Sequence, residues 1–158
     1  MAHKVSKEYS SKIHNSRRGH AHTVSERVPE RVLVVDDERD IANSLKAGLQ
    51  MKGFTVDVFY DPVEALSKFR RGVYDLVISD IKMPKMNGFE MVYELEKIDD
   101  NFRVIFLTGF VDMLKELTML FPKLHVSEII QKPIGIKDLV NKISTLEGGM
   151  KAKVTKPK

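Results

Sequence analysis

The sequence has no cysteine, which excludes disulfide frameworks, thiolate metal sites and cysteine nucleophiles together. It leaves the redox compartment open. No apolar run approaches the roughly 18 residues that span a bilayer, so membrane insertion is not expected. Met1 to Pro29 is polar and basic and lacks the apolar stretch of a secretory signal. A soluble cytoplasmic protein is the expectation. What is present suits one domain with tails: 158 residues, 42% hydrophobic and 30% charged. The net charge of +4 is unevenly placed. Residues 1–30 carry six Lys/Arg against three Glu, and residues 151–158 carry four Lys and no acid, so the body between them is acidic. A basic tail can meet nucleic acid or anionic lipid, but solvated ends are the simpler reading.

Residues 1–30 are too poor in apolar side chains to build a core and are expected to be disordered. Order is expected from Arg31 to residue 147, with a Lys-rich tail over 148–158. Val32-Leu33-Val34-Val35 is a short apolar run that meets Asp36-Asp37-Glu38, the pattern of a buried parallel strand ending in acids. Glu38 to Lys52 carries Ile41, Leu45, Leu49 and Met51 at near-helical spacing, and Gly53 stops it. Phe54 to Phe59 reads as a second strand. Asp61-Pro62 is an N-cap followed by proline at the first helical position, opening a helix with Ala65, Leu66 and Phe69 that ends near Gly72. Leu76-Val77-Ile78 is a third strand ending in Asp80. Met83 to Gly88 is a loop, and a helix follows with Phe89, Val92, Leu95 and Ile98 on one face. Val104 to Leu107 is a fourth strand ending at Thr108-Gly109, and Asp112 to Phe121 is helical. Ser127 to Gln131 is a fifth strand ending at Lys132-Pro133. The last helix turns Leu139, Val140 and Ile143 inward and ends at Gly148-Gly149. Five alternations of short apolar strand and helix predict an α/β, doubly wound, five-stranded parallel sheet.

Ligands of open parallel sheets bind outside the carboxyl ends of the strands. Asp36 and Asp37, Asp80, Thr108 and Lys132 all stand at such ends. Three acids held together repel one another, by about 4 kcal/mol for a pair of unit charges about 4 Å apart at an effective dielectric of 20. A hard divalent cation relieves this. Carboxylate and carbonyl oxygens suit Mg²⁺, and the rim offers no imidazole or thiolate for zinc. The chemistry implied is phosphoryl transfer: a carboxylate attacks phosphorus while metal and ammonium take up charge on the equatorial oxygens. His3, His14, His20 and His22 match no ligand spacing and read as solvated. Met83 and Met86 read as loop packing, and Glu90, Glu94 and Glu96 as a solvated helix face.

Residues 31–146 resemble the receiver domain of two-component response regulators. The resemblance rests on Asp36-Asp37, the run Asp80-Ile81-Lys82-Met83-Pro84, Gly88, Thr108-Gly109 and Lys132-Pro133, five pieces in order at strand ends or the loops after them. It implies a flavodoxin-like fold with Asp80 as phosphoacceptor. Asp36 and Asp37 would hold Mg²⁺, Asp37 more directly, with Asp80 and the backbone carbonyl of Lys82 as further ligands. Thr108 would bind a phosphoryl oxygen and shift on phosphorylation. Lys132 would pair with Asp80 or the phosphoryl group, and Lys132-Pro133 would be a cis peptide. A histidine kinase or phosphotransfer protein would be the donor and an unknown protein the target. The only chemistry would be gain and loss of the phosphoryl group, not turnover of a substrate.

The chain departs from the family at Ile129, where receivers commonly carry Tyr or Phe to report phosphorylation. It also departs at Leu120 to His125, where Pro122 should end the fourth helix early. Only twelve residues follow Leu146, which reads as a stand-alone receiver. Lys82 and Phe110 stand two residues after Asp80 and Thr108, positions that, as the resemblance implies, would flank the approach of water to an aspartyl phosphate. Neither can orient a water, so slow loss of the phosphoryl group is expected. The competing readings are a pseudo-receiver that only binds, a nucleic-acid contact through the basic tails, and an aspartyl phosphohydrolase. The last would want a second carboxylate where Lys82 stands.

Overall fold

The computed structural model describes residues 30–150. The tails at 1–29 and 151–158, with His3, His14, His20 and His22, lie outside the described residues. Five strands form one wholly parallel sheet in the order β2-β1-β3-β4-β5. They are β1 (Arg31–Val35), β2 (Thr55–Phe59), β3 (Leu76–Asp80), β4 (Arg103–Thr108) and β5 (Glu128–Gln131). The helices are α1 (Arg39–Met51), α2 (Pro62–Lys68), α3 (Gly88–Ile98), α4 (Leu114–Leu120) and α5 (Ile136–Met150), with a 3₁₀ turn over Val111–Met113 before α4.

Alternation along the central strands sends side chains to two separate cores, since successive strand residues face opposite sides of a sheet. Val32, Val34, Leu76, Ile78, Ile105 and Leu107 pack with Leu45 and Leu49 of α1 and Leu139 and Ile143 of α5. Leu33, Val35, Val77, Val104 and Phe106 pack with Ala65, Phe89, Val92, Leu95 and Leu117 from α2, α3 and α4. Phe89 stacks on Phe106 with ring centroids 4.5 Å apart and planes within 4°. Helices on both faces explain why the inner strands read as unbroken apolar runs.

Local chemistry starts the helices. The Asp61 carboxylate accepts from the Val63 and Glu64 N–H groups, with Pro62 leading α2. Asn87 and Glu90 close a reciprocal capping box at α3. Lys85 stands in the left-handed region at φ 71°, and its ammonium pairs with Asp61. The loop after β3 is thereby tied to the cap of α2.

Three expectations need correction. α2 ends at Lys68 rather than near Gly72, because Phe69 turns extended to enter the core. Met51 faces solvent, 86% exposed, and the buried face of α1 is Ala42, Leu45 and Leu49. α5 runs on to Met150, so Gly148-Gly149 do not end it. Glycine lowers helix propensity by about 1 kcal/mol, which is too little to stop a helix outright. The early end of α4 at Leu120 is as Pro122 requires.

Gly88 fixes the height of α3 beneath the sheet rim. Its N–H donates to the Ile81 carbonyl at 2.8 Å. A Cβ there would stand inside contact distance of the Asp80 carbonyl oxygen and 3.0 Å from Ser79 Oγ. Both neighbours are held, since Ser79 Oγ itself donates to the Asp80 carbonyl at 2.7 Å. Gly88→Ala is expected to lower stability by about 1–3 kcal/mol, the usual cost of overpacking, as read by urea denaturation. An unchanged midpoint would mean that α3 slides away freely.

Candidate functional site

β1 leads outward to β2 on one side of the sheet, while β3, β4 and β5 run out on the other. The crevice above β1 and β3 is therefore the point where strand order reverses, the usual ligand position in such sheets. Asp36 follows β1, Asp80 ends β3, Thr108 ends β4 and Lys132 follows β5. The fold thus brings together groups from positions 36 to 132.

The centre is an ammonium among carboxylates. Lys132 Nζ lies 2.8 Å from Asp36 Oδ2, 3.2 Å from Asp80 Oδ2 and 3.5 Å from Glu38 Oε1. The second oxygens are aimed by backbone. Asp36 Oδ1 accepts from the Glu38 N–H at 2.9 Å, and Asp80 Oδ1 accepts from the Ile81 N–H at 2.7 Å. Lys132 is set by its own N–H, which donates to the Thr108 carbonyl at 2.7 Å. The Lys132–Pro133 bond is cis.

Asp36, Asp80 and Thr108 are buried. Burial pushes the Asp80 carboxyl above the ordinary Asp range; the Lys132 ammonium opposes this and the Asp36 carboxylate adds to it. Burial of Lys132 works to lower its pKa, but the hydrogen bond and charge of Asp36, joined by Asp80, outweigh that and raise it. Lys132 is thus held charged.

Two expected residues stand apart from this centre. Asp37 is only partly buried, and the carboxylate oxygens gathered within 4.8 Å of one another belong to Asp36, Glu38 and Asp80. Glu38 is the site residue that sequence reasoning missed; an acid directly after the Asp36-Asp37 pair was the available signal. Thr108 faces its own turn, its Oγ1 accepting from the Phe110 N–H at 3.0 Å and donating to the Phe110 carbonyl at 3.3 Å. The Lys82 ammonium does not stand free: it lies 4.4 Å above the Phe110 ring, and Phe110 is 54% exposed. Ile129 packs half-buried against the core on the α2–α4 side of the sheet. Glu90, Glu94 and Glu96, expected as a solvated face, also make surface contacts: the α3 cap, Lys97 at 2.7 Å and the His125 N–H at 3.1 Å.

A model of the family described as response regulator receiver domain matches residues 32–144. The chain belongs to that family. It is 31% identical over 116 residues to the regulatory protein VanRc of Enterococcus gallinarum, covering 73% of this chain and 49% of that protein. The chain spans about half the length of this and other curated relatives it matches. Among solved structures, the CheY-like receiver domain protein of Methanospirillum hungatei superposes with a TM-score of 0.70 at 29% identity, covering 78% of this chain and 98% of that one. The response regulator TrrA of Thermotoga maritima, solved in complex with Mg²⁺-BeF, gives 0.63 at 35% identity, covering 74% and 98%. The receiver fold, flavodoxin-like as the resemblance implied, is that of these neighbours. No helix among the described residues is long and apolar enough to cross a membrane.

The receiver's charge arrangement has a consequence for stability. An Asp whose pKa is raised by folding carries no penalty below its unfolded pKa, and stability falls as pH rises through the raised value. At neutral pH the ionised Asp80 therefore works against the fold. Asp80→Asn is expected to raise Tm at pH 7, with the gain shrinking below about pH 4. Thermal melts across that range check it; a lower Tm at pH 7 would show that the ammonium more than offsets the burial.

Proposed function

We propose that this receiver takes a phosphoryl group onto Asp80 from a histidine kinase or phosphotransfer protein and passes the signal on by a changed protein contact. The observation that carries the reading is the Asp80 carboxylate, buried at the switch point of the sheet with the Lys132 ammonium 3.2 Å away. An Asp80 carboxylate oxygen would attack phosphorus, and the bond from phosphorus to the donor's imidazole nitrogen would break, the nitrogen leaving with the electron pair. Lys132, charged and fixed, would balance the added negative charge. The Thr108 hydroxyl would exchange its bond to the Phe110 carbonyl for a phosphoryl oxygen. Catalysis of this kind is mainly positioning and charge balance.

Mg²⁺ fits the donor set. Asp36, Glu38 and Asp80 offer only hard oxygens, and these three carboxylates with one ammonium leave a net charge of −2 for a divalent cation to neutralise. When bound, the ion would screen the acids and take up charge on the phosphoryl oxygens. Asp36 and Asp80 are its proposed ligands, with the Lys82 carbonyl and either Asp37, as the resemblance implies, or Glu38, as the side-chain cluster favours. We place the receiver at residues 31–147, flanked by the basic tails, in the cytoplasm. Its chemistry would be limited to gaining and losing the phosphoryl group. The alternative of a pseudo-receiver is disfavoured because Asp36, Asp80, Thr108 and Lys132 are all present at the rim; nucleic-acid contact would fall to the tails.

Acetyl phosphate with Mg²⁺ is expected to add one acid-stable, base-labile phosphoryl group, releasing acetate, as read by intact mass. Asp80→Asn should show none at that site, and equal labelling of the variant would move the acceptor elsewhere. The metal is tested without phosphate. Mg²⁺ at ten times its dissociation constant adds about 1.4 kcal/mol to the fold, a rise of a few degrees in Tm. Asp36→Ala should abolish that rise. Asp37→Ala beside Glu38→Gln decides the remaining ligand, because the true one loses the response; no rise in the wild type at millimolar Mg²⁺ would count against the site.

A further inference from the structure

Lys82 and Phe110 lie on the two loops that flank Asp80: one two residues beyond the acceptor, the other two residues beyond Thr108. Two interactions hold Phe110 in place. From above, the Lys82 ammonium sits 4.4 Å from the ring centroid. From below, Thr108 Oγ1 bonds both the N–H and the carbonyl of Phe110. The ring is half exposed, and Val111 and Met113 beside it are exposed apolar side chains on a 3₁₀ turn. In contrast, Ile129, at the position where receivers commonly carry the reporting aromatic, is an aliphatic group half-buried against the core.

An aromatic face attracts a cation only through its quadrupole. A phosphoryl group carries close to two full negative charges and three acceptor oxygens. Placed on Asp80, two residues before Lys82, it would compete with the ring for the ammonium on its long, flexible side chain. A hydroxyl has one proton to donate. If Thr108 gives it to a phosphoryl oxygen, the Phe110 carbonyl loses its donor in the same event.

We propose that the Lys82–Phe110 pair is a charge-operated latch, closed in the unphosphorylated chain and opened when the phosphoryl group on Asp80 draws the Lys82 ammonium from the ring. Opening releases the Phe110 ring, at the head of the already exposed turn through Val111 and Met113, from its hold by Lys82. This rests on the reading of Asp80 as the phosphoacceptor.

The test uses the full chain with ¹³C-labelled lysine. The Lys82 ε-methylene signal is assigned by its loss in Lys82→Arg. In the resting protein its protons should be shifted upfield by the ring current, and Phe110→Leu should return them to the position of exposed lysines. Acetyl phosphate with Mg²⁺ should produce the same return in the wild type but not in Asp80→Asn. Intact mass is read on the same samples. A phosphoryl group present by mass, with the signal still upfield, overturns the latch and leaves the acceptor intact. A resting signal already at the exposed position also overturns it. No phosphoryl group by mass overturns the acceptor reading, and the latch falls with it.

Discussion

The ion cluster around Lys132 is the constraint on which the site depends. One ammonium touches carboxylates that follow β1 and end β3, while its own backbone is fastened to the end of β4. Three separate strand ends are therefore gathered by a single residue from a fourth, two by its side chain and one by its main chain. Burial disfavours each charge by itself, and the set is tolerable because opposite charges lie at hydrogen-bond distance. The same burial keeps water from screening them, so any change of charge on Asp80 is felt strongly by its neighbours.

The rest of the fold supplies rigidity to that centre. Both faces of the sheet are covered, so the strands can move little without disturbing two cores at once. Buried Arg103 at the far end of β4 pairs with Glu30 at the entry to β1 and reaches the Ile143 carbonyl of α5 at 3.4 Å. Order at the rim is matched by fastening at the base.

The sheet and the rim residues were legible in the sequence because each depends on a short local pattern: a β-branched run, then a polar residue where the run stops. Asp80 after Leu76-Val77-Ile78 and Lys132 after the fifth strand are of this kind. What was not legible depends on three-dimensional proximity or on weak preferences. Glu38 directly follows the Asp36-Asp37 pair, but that its carboxylate joins the cluster depends on the turn in which Asp36 accepts the Glu38 N–H. Lys85 adopts a left-handed conformation that glycine would take more readily, and its distant partner Asp61 is invisible as a pattern. Met51 fitted the helical spacing but falls on the last turn of α1, beyond the cover of the sheet. The contact between Lys82 and Phe110 joins two loops separated by a whole helix and strand.

The glycine under Asp80 has a mechanical meaning. With α3 seated directly against the Asp80 carbonyl, and Ser79 bonded to the same oxygen, the main chain at position 80 acts as an anvil. A group added to the carboxylate cannot be accommodated by recoil of β3. On the proposed phosphorylation the displacement would go sideways, into the side chains of the neighbouring loops, and its direction would then be a property of one missing methyl group.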